Sequence, residues 1–198
     1  VITIVDTTPP TITCPDNITI ECDEDTSPAN TGSATAVDNC TPVNDIAITF
    51  ADVSTQATSG CGQYQYEITR TWTAIDNCGN VNTCYQIITV VDTTSPVIAS
   101  PSDQTLTCFE NVPEPLNTPA DFVAAGGTID DNCTASLSEF TVFSQNDDNG
   151  GNNCPGDARI LTRTYFVKDA CGNTTSSEQT FTYLESTQAP VITSILPS

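Results

Sequence analysis

The chain has 198 residues, with 25 acidic against 4 basic side chains, no histidine and a formal net charge of −21. Nucleic acid and anionic membrane need Lys and Arg to neutralise phosphate, so this balance excludes both as partners and favours cations. Only 37% of residues are hydrophobic and ten are cysteine, without a CxxC pair. Zinc and haem-attachment readings fall away, which leaves disulfides and a compartment outside the reducing cytosol.

No charged-then-apolar leader and no apolar run near 18 residues is present, so direct membrane insertion is not expected and the chain reads as a monomeric piece excised from something longer. Short alternating runs of Thr, Ile, Val and Tyr, separated by Gly, Asn, Asp and Pro, predict an all-β chain. In chain order the first strands fall near 11–14, 18–21, 33–37, 46–51, 64–75 and 84–91. About seven strands in roughly 90 residues suggest an immunoglobulin-like sandwich. Along the longest strand Ile68, Arg70, Trp72 and Ala74 share one face, with Trp72 as core anchor and Arg70 as a structural arginine, its stem buried or its head paired to a carboxylate.

The chain then repeats itself. Asp6-Thr7-Thr8-Pro9-Pro10 recurs as Asp92-Thr93-Thr94-Ser95-Pro96, Thr69-Arg70-Thr71-Trp72 as Thr162-Arg163-Thr164-Tyr165, Asp38-Asn39-Cys40 as Asp131-Asn132-Cys133, and Asp76-Asn77-Cys78-Gly79-Asn80 as Asp169-Ala170-Cys171-Gly172-Asn173. Two tandem, disulfide-stapled immunoglobulin-like β-sandwich domains are expected, at 1–92 and 93–185, with 186–198 a linker or the start of a third copy.

Cys14 and Cys84 are replaced together by Ser100 and Ser177, the trace that a paired gain or loss leaves, so Cys14–Cys84 is expected to be a disulfide. Strand polarity adds Cys22–Cys61 at one pole and Cys40–Cys78 at the other, and Cys108–Cys154 with Cys133–Cys171 in the second domain. The same polarity brings Asp6, Asp38 and Asp76 to one end of the first domain. Asp92, Asp131 and Asp169, with Asn132 and Asn173, are the corresponding set. Such hard oxygen donors suit Ca²⁺, the one cofactor expected. Read otherwise, these Asp and Asn residues form Asx-turns beside the disulfides.

The repeated Asp-Thr-Thr opening, the 12–22 and 36–40 segments and the 69–92 segment resemble hyalin-repeat (HYR-like) domains, especially those strung through giant surface adhesins of gliding Bacteroidetes. The resemblance spans nearly all of 1–92 and is weaker over 95–185. It implies immunoglobulin-like repeats in an extracellular, cell-surface filament, a rigid stalk or adhesive segment used in surface attachment and gliding motility. Partners would be neighbouring repeats of the same chain and an external surface or polysaccharide. A carbohydrate- or receptor-binding module is the alternative. No histidine, nucleophile elbow or cofactor loop points to an enzyme.

Overall fold

The computed structural model describes residues 1–107, 112–151 and 158–184. The chain divides into two compact units, Val1–Thr94 and Ser95–Ser198. In the first, β1 (Thr11–Thr13), β2 (Ile18–Glu21), the short helix α1 (Pro28–Thr31), β3 (Thr35–Val37), β4 (Ala47–Ser54), β5 (Tyr66–Ile75) and β6 (Val81–Val91) follow one another. The second runs β7 (Val97–Ala99), β8 (Gln104–Leu106), helix α2 (Pro119–Ala124), β9 (Thr128–Asp130), β10 (Thr141–Asp148), β11 (Ile160–Lys168) and β12 (Thr174–Tyr183).

Each unit is a lopsided β-sandwich. A four-stranded sheet, ordered β2-β6-β5-β4 in unit 1 and β10-β11-β12-β8 in unit 2, stands with a two-stranded one, β1-β3 or β7-β9. Six strands are formed per unit among the described residues where about seven were expected. In unit 1 the chain between β4 and β5 turns back without crossing the sandwich, so the two strands that would widen the smaller sheet of an immunoglobulin constant domain have no counterpart. Short helices occupy space that strand periodicity does not reveal: α1 and α2 each begin with proline, pre-set for a first helical turn.

The two units carry the same rows of inward side chains. Asp52, Arg70 and Gln86 lie in register across β4, β5 and β6, next to the row Phe50, Trp72 and Cys84. Asn146, Arg163 and Gln179 repeat the first row in unit 2, and Ser144, Tyr165 and Ser177 the second. Trp72 and Tyr165 are both buried, as their shared slot predicted. Arg70 and Arg163, 1% and 2% exposed, form a polar belt that separates two apolar clusters in each unit. In unit 1 Ala36, Ile46 and Ala74 lie on one side of it, and Ile20, Ile68, Ile88 and Val90 on the other. Phe122, Phe140, Val142, Tyr165 and Val167 are the unit 2 counterpart of the first, and Leu106, Leu161, Phe181 and Tyr183 of the second.

Every guanidinium and amide nitrogen of the belt is engaged, while Gln86 Oε1 is buried without a hydrogen-bond partner. Arg70 makes two bonds of 2.8 Å to the Asp52 carboxylate, one of 2.9 Å to Thr31 Oγ1 and one of 2.8 Å to the Thr26 carbonyl. Gln86 Nε2 donates to the carbonyls of Asp16 and Thr31 at 3.0 and 2.6 Å. These bonds pin residues 26–31 over the part of the sheet that no facing strand covers, and hold Asp16 at the entry to β2. In unit 2 Arg163 bonds Asn146 Oδ1 at 2.8 Å and the carbonyls of Pro113 and Glu114 at 2.8 and 3.3 Å, while Gln179 Nε2 bonds the Ser102 carbonyl at 2.7 Å.

Cys14 and Cys84 are bonded, with Cα atoms 5.9 Å apart, and tie the end of β1 to the larger sheet. At the same place in unit 2 the Ser100 N–H donates to Ser177 Oγ at 3.1 Å. Cys22, Cys61, Cys133 and Cys171 are each in a disulfide; Cys108–Cys154 and the segment 186–198 lie outside the described residues. One expectation is corrected: Cys40 and Cys78 are exposed free thiols, not a bridge. Each follows an aspartate that captures its backbone N–H at 2.8 Å. Strand polarity brings the two turns to one pole, but bringing turns together does not by itself join their sulfurs, which a disulfide requires at a specific Cβ separation and direction.

Because one hydrogen bond stands where unit 1 has a covalent staple, Ser100→Cys with Ser177→Cys should close a disulfide under oxidation. The expected gain is about 2–4 kcal/mol in unfolding free energy, read by denaturant titration of oxidised against reduced protein. No gain, with the bond shown by mass to have formed, would mean that the two units differ in geometry at this staple.

Candidate metal centre

Three aspartates of unit 1 converge at one pole, each delivered by the end of a strand or the entry to one. Asp6 precedes β1, Asp38 follows β3 and Asp76 follows β5. One carboxylate oxygen from each lies within 4.8 Å of the others. Local turns hold them there. Asp6 Oδ1 accepts from the Thr8 N–H at 3.0 Å, and Asp38 Oδ2 from the N–H groups of Cys40 and Thr41 at 2.8 and 2.9 Å. Asp76 Oδ1 accepts from the N–H groups of Cys78 and Asn80, both at 2.8 Å, and its Oδ2 from Asn80 Nδ2 at 2.7 Å. Gly79 makes this last turn possible with a φ of 88°, where a side chain would be strained. The turns also touch: the Asn77 N–H donates to Thr41 Oγ1 at 3.3 Å.

The Asx-turns are present and leave part of the carboxylate set outside them. In Asp6 and Asp38 one oxygen is spent on the turn, whereas Asp6 Oδ2 and Asp38 Oδ1 are buried without a hydrogen-bond partner. Buried, unpaired carboxylate oxygens are costly, and like charges about 4 Å apart repel by about 1 kcal/mol in water and about 4 kcal/mol at an effective dielectric of 20. A hard cation among these oxygens would relieve both penalties, and Ca²⁺ is one that takes carboxylate donors with carbonyls and water to complete its shell.

The surroundings shape the titration. Burial works against the Asp76 charge, but the side-chain amide and N–H of Asn80 and the N–H groups of Cys78 and Gly79 outweigh it and hold this carboxyl below its usual range. Burial, then the charges of Asp6, Asp38, Cys78 and Asp76, push the Cys40 thiol up. Asn80 is the participant that sequence reasoning missed in unit 1. Besides bonding Asp76 it donates to the Asp6 carbonyl at 3.3 Å, and its signal was its equivalence with Asn173.

In unit 2 Asp131 Oδ1 accepts from the N–H groups of Cys133 and Thr134 at 3.0 and 2.7 Å, and its Oδ2 is buried without a partner. Asp169 Oδ1 accepts from Cys171, Gly172 and Asn173 at 2.8, 2.6 and 2.9 Å, and Asn173 Nδ2 donates to Oδ2 at 2.9 Å. The turns of Asp38 and Asp76 are thus rebuilt. Asn132 is exposed in its turn. Asp92, in unit 1, is buried just past β6, and its carbonyl accepts from Gln65 Nε2 at 3.0 Å. The acidic run at 23–25 has local work: Glu24 Oε2 accepts from the Glu21 N–H at 2.8 Å, and Asp25 accepts from the Ser27 N–H at 2.8 Å at the entry to α1.

No known protein family matches the sequence, and no curated protein does. Among solved structures, the Drosophila N-cadherin EC1-4 fragment aligns at a TM-score of 0.40 and 13% identity over 89% of this chain, which spans 49% of that fragment. Human mucin-like protocadherin EC1-2 aligns at a TM-score of 0.34 and 9% identity, over 88% of this chain and 98% of that one.

The lowered Asp76 pKa sets a pH dependence. A carboxyl that binds its proton less readily folded than unfolded contributes stability that is complete above the ordinary carboxylate value, about 3.9, and is lost as pH falls through its own lower value. Asp76→Asn should therefore melt below the parent at pH 5–6, with the two midpoints converging under acid; a constant gap down to pH 2 would contradict this assignment.

Proposed function

We propose that the chain is a non-enzymatic segment of an extracellular, cell-surface adhesion protein, a stalk of sandwich repeats stiffened by disulfides and by calcium. The Asp6–Asp38–Asp76 pole carries this reading: it is an acidic site whose turns pre-orient one oxygen of Asp6 and of Asp38 away from every hydrogen-bond donor. The disulfides support an oxidising compartment. Repetition of the same belt and the same turns in both units supports a spacer, in which identical modules are added for reach. Within that reading, the hyalin-type motifs favour repeats of a giant adhesin that contacts an external surface or polysaccharide during gliding. Neighbouring repeats are its constant partners.

One observation favours the second reading, a carbohydrate- or receptor-binding module. On the outer face of unit 2, Phe143 and Phe166 stack at 5.1 Å between centroids, with Phe143 exposed. A glycan array with the parent and Phe143→Ala decides: binding that this change abolishes moves the assignment from spacer to lectin.

Calcium at a hundredfold excess over its Kd should stabilise the protein by about 2.7 kcal/mol. Asp6→Asn with Asp38→Asn keeps a turn-forming oxygen in each side chain but removes two charges, and should abolish that response. Thermal melts in calcium and in chelator check both, and coincident midpoints for the parent would remove calcium from the account.

A further inference from the structure

Two features of unit 1 have no part in the metal site: the thiols of Cys40 and Cys78, and the apolar segment ahead of Asp6. Residues 1–8, Val1-Ile2-Thr3-Ile4-Val5-Asp6-Thr7-Thr8, match residues 87–94, Ile87-Ile88-Thr89-Val90-Val91-Asp92-Thr93-Thr94, in register. In β6 Ile88 and Val90 are 0% and 1% exposed and complete an apolar cluster, whereas their counterparts Ile2 and Ile4 are 92% and 91% exposed. The sequence of a last strand, with its core-facing residues, thus lies bare beside the acidic pole.

Unit 1 itself shows what flanks the end of such a strand. β2 runs parallel to β6 with Glu21 opposite Val91, which sets Cys22 level with Asp92, and the Thr93 N–H donates to Glu21 Oε2 at 3.2 Å. Gln65 joins the other cysteine to the same point: its N–H donates to the Cys61 carbonyl at 2.7 Å and its Nε2 to the Asp92 carbonyl at 3.0 Å. Cys22 and Cys61 are therefore the cysteines of the strand end marked by Asp92. Transferred to the strand end marked by Asp6, their counterparts meet Asp38 and Asp76, each two residues ahead of an exposed thiol. Both kinds of position form disulfides in this protein: Cys22, Cys61, Cys133 and Cys171 are each in one, and the last two occupy in unit 2 the turns that Cys40 and Cys78 occupy in unit 1.

We propose that Cys40 and Cys78 are the receiving half of a two-disulfide junction, which takes the Cys22- and Cys61-type cysteines of a further repeat whose last strand is Val1–Val5. Each bond forms by exchange with an oxidised thiol–disulfide oxidoreductase or oxidised glutathione. The receiving sulfur, having lost its proton to water, attacks the oxidant's disulfide and expels one thiolate. The incoming cysteine then displaces the second. Two electrons pass to the oxidant, whose sulfurs leave as two thiols, and one S–S bond remains between the repeats. Such a junction resists pulling apart in a way that two abutting acidic poles cannot.

The inference rests on the tandem-repeat reading and not on calcium, so it is tested in chelator. The full chain is compared with the same chain preceded by a copy of residues 1–86, so that Val1 takes the place of Ile87; the copy carries Cys40→Ser and Cys78→Ser. After oxidation both proteins are alkylated without reduction and mapped by mass spectrometry. Cys40 and Cys78 should alkylate in the full chain alone. In the extended chain they should be protected and linked to peptides containing Cys22 and Cys61. Continued alkylation there, or a bond between Cys40 and Cys78, overturns the proposal. Ile2→Ser with Ile4→Ser supplies a control: it should leave the melting midpoint of the full chain unchanged, since both residues are bare, and remove the protection in the extended chain. A lowered midpoint in the full chain would equally count against the proposal.

Discussion

A guanidinium and a primary amide sit side by side in the middle of each larger sheet, and the rest of each unit is arranged around them. A sandwich of four strands against two leaves part of its inner face without an opposing strand. That gap is filled by irregular chain, whose carbonyls would be left unpaired against an apolar face. Arg70 with Gln86, and Arg163 with Gln179, answer those carbonyls directly. A planar donor fork suits several acceptors at once, which explains why arginine rather than lysine occupies the position in both units. Charge balance is secondary: Arg70 faces the carboxylate of Asp52, while Arg163 faces the neutral amide of Asn146.

The belt has a cost in apolar packing. It splits a small core into two clusters, neither of which has the size of a single domain core, so covalent ties carry weight that burial would otherwise carry. Cys14–Cys84 falls beside the belt, in the row next to Arg70, where it joins the two sheets. Unit 2 has a hydrogen bond there and a larger aromatic cluster in compensation, with Phe122 of α2 edge-on to Tyr165 at 5.1 Å. The pole is a different matter. There the turns position carboxylate oxygens, and those of Asp6 and Asp38 that face away from the turns are left without a hydrogen-bond partner.

The strands of unit 1 were legible because their alternation is regular and Trp72 and Tyr165 mark one register in both repeats. The buried arginines were legible from the same face assignment. The short helices were not, since four and six residues are too few to show a helical period. The convergence of Asp6, Asp38 and Asp76 followed from strand polarity alone. Cys40 and Cys78 show where that reasoning stops: polarity places two turns at one pole, but the same turns carry free thiols in unit 1 and bonded cysteines in unit 2, so the turn does not decide the partner of its cysteine. Asn80 was passed over because its bond to Asp76 is local, whereas its bond to Asp6 spans 74 positions.

If the guanidinium is what holds irregular chain over the open sheet, its replacement by a cation without the fork must release that chain. Hydrogen exchange of the 198-residue chain carrying Arg70→Lys, followed with its unfolding free energy, is the direct measurement. The account predicts a loss of about 1–3 kcal/mol, as for a buried polar group left without its hydrogen-bond donor, with protection lost first across residues 26–31. Unchanged protection there, with a loss under 0.5 kcal/mol, would show that the sandwich closes without its polar belt.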